Sequence, residues 1–334
     1  MALLPVSRNV VTTFLRLGTR GSELALYQAN AVAALLHERA AVVCDIRIIK
    51  TSGDRLAEAA LSEIGGKRLF VKEIEDALLA GEVDIAVHSS KDMPAALPDG
   101  LEVGAVLARE DPSDALVLPA SRAMDIDFEG AVRELGREPR IGTSSVRRIA
   151  QLTRLFPGAR FLPVRGNLGT RLRKLDAGDF DALVLASAGL RRLGKSSRIS
   201  AAVPVDASVP APGQGIIAVE IRSGDGQVQP IVAQIDDAEA SAALQAERAV
   251  VTRLGGGCQM PIGAYAMVSN GTLTLTGIVV SPDGSRAARA SASGPVGNAH
   301  AIGVDVADHL LRDGAGEILS EVQRAHAAVE GIQP

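Results

Sequence analysis

The chain of 334 residues has no tryptophan, two tyrosines and six phenylalanines. Flat aromatic surfaces for stacking bases or sugar rings are therefore scarce, and no nucleic-acid partner is expected. Cysteine is nearly absent. The two present, Cys44 and Cys258, are too few for a disulfide framework or a structural zinc site, so no metal is expected and a reducing, cytoplasmic setting fits best. No run of about 18 apolar residues occurs, which argues against a membrane span. The chain also lacks a Gly-x-x-x-x-Gly-Lys-Ser/Thr motif and a Gly-x-Gly-x-x-Gly turn after its first strand, so neither a P-loop nor a nicotinamide-binding domain is supported. A net charge of −4 gives no general attraction for polyanions, although a mildly acidic total can conceal a local basic pocket.

What is abundant is aliphatic core material. Apolar residues make up 47% of the chain, and at this length two or three domains are expected. Residues 1–14 have no continuous apolar core and no Ala-x-Ala site, and read as a disordered tail. A strand at Phe14–Leu17 then leads through Gly18-Thr19-Arg20-Gly21-Ser22 into a helix from about Glu23 to His37. Free backbone amides and the helix dipole make such a turn a ready anion site. Strands follow at Val42–Ile49, which carries Cys44 as inert core, and at Val83–Val87. Between them, 51–70 is polar and glycine-broken and reads as a candidate lid. His88 is expected to point into the core or bond backbone, and Lys91-Asp92 leaves the carboxyl end of the strand, where ligands of open α/β sheets gather.

A short internal echo is present. Ala80-Gly81-Glu82-Val83-Asp84 resembles Ala177-Gly178-Asp179-Phe180-Asp181, and Gly18-Thr19 with Ser22 resembles Gly142-Thr143 with Ser145. Two similarly built α/β halves facing one cleft give this order. In the second half, three strand ends each present arginine: Arg147-Arg148, Arg165 with Arg171, and Arg191-Arg192. Guanidinium forks suit carboxylates or phosphates, so a polyanion-binding cleft is expected. The stretch 121–138 reads as surface decoration. Pro210–Gly215 is a rigid then flexible crossing, and Ile216–Ile221 reads as a strand returning to the first half, which makes a hinge. From Ala238 the pattern changes to a helix ending at Leu254, a hairpin turned at Asn270-Gly271, a third strand at Arg286–Ser291 and a mostly helical tail from Ile302 to Ala328. The helix ends on Gly255-Gly256-Gly257-Cys258. Three glycines clear the approach to a thiol, or else Gly255 merely closes the helix and Cys258 is a small buried hydrophobe.

Seven blocks in order carry a resemblance. They are Gly18-Thr19-Arg20-Gly21-Ser22, Gly65–Phe70, Val87–Asp92, Gly142–Arg148, Arg165–Arg171, Ala211–Gly215 and Gly256-Gly257-Cys258-Gln259. Together the chain from Leu17 nearly to its end resembles the hydroxymethylbilane synthase, or porphobilinogen deaminase, family. The resemblance implies an α/β fold of three domains. The first two are similar to type 2 periplasmic binding proteins with a hinge between them, and a small third domain carries the cofactor. The expected division is 15–110 with 214–233, then 111–213, then 234–334. It implies a transferase that condenses four porphobilinogen molecules head to tail with loss of ammonia, in heme biosynthesis. The primer is a dipyrromethane held by a thioether on Cys258, and the expected state is a monomer. By the same resemblance Asp92 is catalytic. Lys91, Asp92, Ser144, Arg147, Arg148, Ser22 and Arg165 hold the cofactor, and Arg20, Arg165, Arg171 and Arg192 hold substrate. Ser90 stands where many family members have methionine, Arg68 where many have glycine and Glu63 where some have lysine. The rival reading is a two-lobed solute-binding protein for a polycarboxylate, which needs the arginine cleft but not the glycine-cysteine loop. A cysteine hydrolase lacks a suitably placed histidine partner.

Overall fold

Buried aliphatic strands joined through capped helices build three sheets. The computed structural model describes residues 13–55, 71–122, 126–257 and 259–330. Most of the candidate lid, Arg68, Glu63 and Cys258 lie outside the described residues.

The first lobe contains β1 (Thr13–Thr19), α1 (Glu23–Ala40), β2 (Val42–Ile48), α2 (Ser52–Arg55), α3 (Lys72–Leu79), β3 (Ile85–Ser89) and β4 (Leu101–Val106). The second contains β5 (Asp114–Val117), α4 (Phe128–Leu135), β6 (Arg140–Gly142), α5 (Val146–Thr153), β7 (Arg160–Leu162), α6 (Leu168–Asp176), β8 (Ala182–Ala186), α7 (Ser187–Arg192) and β9 (Ala201–Val203). The chain then returns through β10 (Ile217–Arg222) and α8 (Gln229–Val232). The first sheet has the order β2-β1-β3-β10-β4 and the second β7-β6-β8-β5-β9. In each, the first three strands are parallel and the fourth in that order is antiparallel to both neighbours. The topologies are identical, as the sequence echo predicts.

The echo has a structural cause. In the first lobe Asp84 accepts from the backbone and side-chain nitrogens of Arg16 at 2.6–3.0 Å, and in the second Asp181 does the same for Arg140 at 2.7–3.2 Å. Gly81 and Gly178 both turn with positive φ, +71° and +87°. Ser22 caps α1 by accepting from the Ala25 amide, and Ser145 caps α5 by accepting from the Arg148 amide.

The third body contains α9 (Ala238–Arg253), β11 (Ile262–Ser269), β12 (Thr272–Val280), β13 (Ala287–Pro295), α10 (Ala299–Arg312) and α11 (Ala315–Glu330). Its antiparallel sheet packs one apolar face, including Leu273, Leu275 and Val279, against α9 and α10. Asn270 and Gly271 both have positive φ, as the two-residue hairpin turn requires. The three bodies meet at Glu247 of α9, which is fully buried. It accepts from Arg109 Nη1 at 2.5 Å, from the Gly213 amide at 2.6 Å and from the Ala266 amide at 2.7 Å.

Two expectations need correction. The stretch 121–138 is not mere decoration: Ala131 of α4 is fully buried, and Phe128, Val132 and Leu135 pack on the second lobe's core. The tail is mostly helical as expected, as two helices parted at Gly314, whose φ of +90° is closed to most side chains. The third strand runs to Pro295, past Ser291, because β13 pairs with the whole of β12.

Candidate active site

Asp92 and Lys91 sit where β3 ends at the junction of the three bodies. Burial of Ile85, Ala86 and Val87 holds the strand at the centre of its sheet. The chain then tightens into a single 3-10 turn at Ser90–Asp92. The Ser90 amide donates to Ile216 O at 3.0 Å, and buried Met93 donates back to Ser90 O at 3.2 Å. Both ends of the turn are thus pinned while its two charged side chains project.

They project into different spaces. Lys91 lines an open cavity, the larger of the two, together with Ser90, Ser145, Arg147, Arg248 and Gly257. Asp92 lines a second, smaller one together with Arg20, Ser22, Gln28 and His88 near the amino end of α1. Asp92 is exposed, and its carboxylate has no hydrogen-bond or ion-pair partner among the described residues. Loss of surrounding water pushes the Lys91 ammonium down to about 8, opposed by Asp92 and Asp114 and assisted by Arg148 and Arg147. The residue as a whole keeps some surface.

The arginines divide into two groups. Arg147 and Arg148 are 4% and 7% exposed and grip Asp114, which is fully buried. Arg147 Nη1 donates to Asp114 Oδ2 at 2.9 Å, Arg148 Nη2 to Asp114 Oδ1 at 2.8 Å, and Gln214 Nε2 and Ser208 Oγ add bonds at 2.9 and 3.1 Å. Burial alone raises the Asp114 carboxyl, but the two guanidiniums outweigh it and hold the group far below the usual carboxylate range. Arg147 still lines the larger cavity, and its Nε is buried without a partner. The second group lines neither cavity. Arg171 donates from Nε to Gly166 O at 2.9 Å, and Arg192 from Nη2 to Gly215 O at 2.7 Å. Both guanidiniums are lowered chiefly by burial, and Arg171 feels Arg148 and Asp92. Arg165 is half-buried. Ser144, also outside both cavities, is engaged with the backbone of Val164 through two bonds of 3.1 Å.

The glycines before Cys258 have separate reasons. Gly255, at φ +64°, ends α9. Gly256 lies so close to Ile262 that a Cβ would meet its Cδ1 at 2.3 Å. Gly257 alone borders the larger cavity, with open space where a Cβ would stand. His88 does point into the core, but its partner is a side chain, Glu220, rather than backbone. Two lining residues were not anticipated. Arg248 shares one face of α9 with Leu244 and Val251, a helical spacing visible in the sequence, and Ser145 is visible as an N-cap.

The family profile described as porphobilinogen deaminase, dipyromethane cofactor binding domain, matches residues 15–230. The profile for the porphobilinogen deaminase C-terminal domain matches residues 242–312. Porphobilinogen deaminase of Syntrophobacter fumaroxidans is 45% identical over 93% of this chain and 98% of its own length. That of Geobacter metallireducens is 44% identical over 95% and 97%, and that of Pelotomaculum thermopropionicum 47% identical over 92% and 96%. Among solved structures, substrate binding domain 2 of Lactococcus lactis GlnP covers 73% of this chain and 92% of its own at 10% identity, with a TM-score of 0.39. A likeness that weak carries no argument about the site. Among the described residues, no helix is long and apolar enough to cross a membrane.

Proposed function

The chain belongs to the porphobilinogen deaminase family, and from that premise we propose how its residues carry out the condensation of four porphobilinogen molecules to hydroxymethylbilane. The observation that carries the reading is the split at Lys91-Asp92, one side chain in each of two adjoining cavities.

The larger cavity suits a dipyrromethane with its acetate and propionate groups. Lys91, Arg147 and Arg248 supply positive charge around it, the unpartnered Arg147 Nε lacks an acceptor, and Gly257 borders it one residue before Cys258. Bound there through the Cys258 sulfur, the dipyrromethane supplies the free ring carbon to which substrate rings are joined. Lys91, Arg147, Ser145 and Arg248 bind its acidic groups, and Arg148, with Asp114 behind it, steadies Arg147. Ser144 and Ser22 are assigned to the same anionic groups, Ser22 from the α1 terminus.

In the smaller cavity, Arg20 and the amino end of α1 hold the acidic groups of incoming porphobilinogen, and Arg165, Arg171 and Arg192 receive rings as the chain grows. Asp92 is the catalytic carboxylate. Loss of ammonia leaves positive charge on the substrate's pyrrole nitrogen, and an unpaired anion beside it stabilises that charge. Asp92 then accepts the proton released when the carbon–carbon bond forms. The expected division into 15–110 with 214–233, 111–213 and 234–334 is supported by the membership of β10 in the first sheet. We take the enzyme to be a cytoplasmic monomer, which light scattering checks.

Intact mass tests the assignment. The purified chain carries the mass of two linked pyrroles and Cys258→Ala does not. An unmodified wild-type mass from cells that make porphobilinogen overturns the reading and restores a polycarboxylate-binding protein.

A further inference from the structure

His88 and Glu220 form a buried pair that the chemistry above does not use. They stand on adjacent antiparallel strands, with Ala218 opposite His88 and Glu220 opposite Ala86, so the two-residue strand period puts both side chains on one face. His88 Nε2 lies 3.1 Å from Glu220 Oε2. The residues are 5% and 0% exposed, and Glu220 Oε1 is buried with no partner. A carboxylate so short of donors is tolerable only beside a group that gives it a proton to share, which assigns the hydrogen to Nε2. The lone pair then falls on Nδ1, for which no partner occurs among the described residues. His88 also borders the smaller cavity, as Asp92 does.

This is a series of orienting acid, imidazole and open cavity. Glu220 fixes the tautomer and stabilises the cation that forms if Nδ1 takes a proton, the division of labour found wherever an acid backs a histidine base. Glu220 on β10 is in contact with the ring, Asp92 on the turn and Arg20 before α1 line the same cavity as His88, and Glu75 is fully buried on α3, which packs on β3.

The reaction supplies such a proton. Substrate enters as an ammonium, its carbon–nitrogen bond breaks, ammonia departs, a carbon–hydrogen bond is exchanged for a carbon–carbon bond, and one proton is left over. Asp92 takes it, but Asp92 must be a carboxylate again before the next ring arrives. We propose that His88, held by Glu220, restores Asp92 after each condensation: the Asp92 O–H bond breaks, an Nδ1–H bond forms through cavity water, and the proton passes on to ammonia, which leaves as ammonium. The proposal rests on the assignment of Asp92 above.

The test uses holoenzyme whose two-pyrrole mass has been verified. His88→Asn keeps an N–H for Glu220 but cannot carry a proton. Its kcat is expected to fall about tenfold or more, with KM within about twofold and the acidic limb of the kcat profile flattened. Added imidazole is expected to restore part of the turnover of His88→Gly. Should His88→Asn not fold, Glu220→Gln must show the same kcat loss and altered profile. Wild-type kcat and pH profile in His88→Asn, or a loss confined to KM with no imidazole rescue, overturns the relay. If Asp92→Ala itself turns over normally, it is the role of Asp92 that fails, a result distinct from an unaffected His88→Asn.

Discussion

The two lobes are one scaffold used in opposite ways. Each leads a capped helix from the strand second in its sheet order, β1 or β6, and each locks an arginine to an aspartate just ahead of the third, β3 or β8. In the first lobe the acid that follows the third strand, Asp92, is left unpaired in a cavity. In the second, Asp114 at the head of β5 is sealed among two guanidiniums, an amide and a hydroxyl. An acid poised for chemistry has to remain available, whereas an acid that positions cations has to be saturated. Duplicated topology did not duplicate the task.

The sharpest test of that contrast is Asp92→Ala. Its fold, melting temperature and covalent mass should be unchanged while kcat falls by about 10²–10⁴-fold, the range for a proton-transferring group; normal turnover breaks the comparison at once. Asp114→Ala should do the reverse. Leaving Arg147 and Arg148 buried without their anion costs about 3–5 kcal/mol, read as a lowered urea midpoint. A stability equal to wild type would mean the pair relaxes toward the cavity. A smaller effect concerns Lys91. In the folded, ligand-free chain it releases its proton as pH rises through about 8, while in the unfolded chain it holds it to 10.5. The unfolded state then binds more protons, so stability rises with pH across that window, and affinity for a polycarboxylate falls. Lys91→Met should flatten both trends in denaturation and titration calorimetry. Smallest of all, Arg16→Ala and Arg140→Ala should lower the melting temperature slightly and equally, since both pairs are open to solvent. Unequal shifts would show that the lobes differ in their frames as well as their acids.

Much of this was legible in the chain. The echo around Asp84 and Asp181 could be read because each motif is local: a glycine that turns the chain, a strand, and an acid immediately before it. The returning strand β10 could be read from its apolar run after Gly215. The fate of individual arginines could not. Arg147 and Arg148 look like ligand forks in sequence, and the acid that engages them stands 33 and 34 residues earlier, brought near only by antiparallel pairing of β5 with β8. Nor does adjacency reveal that Lys91 and Asp92 face different cavities, since that depends on a single 3-10 turn. The surface reading of 121–138 failed because α4 buries a narrow stripe around one alanine, a weak signal beside its many charges.

The position of β10 bears on how the protein is made. The second sheet has all its strands once β9 ends at Val203, but the first lacks the strand between β3 and β4 until Arg222 has been synthesised. The lobe begun later on the ribosome is therefore the one finished earlier, and the amino-terminal strands must wait, with a sheet edge open, for the whole of their neighbour to emerge.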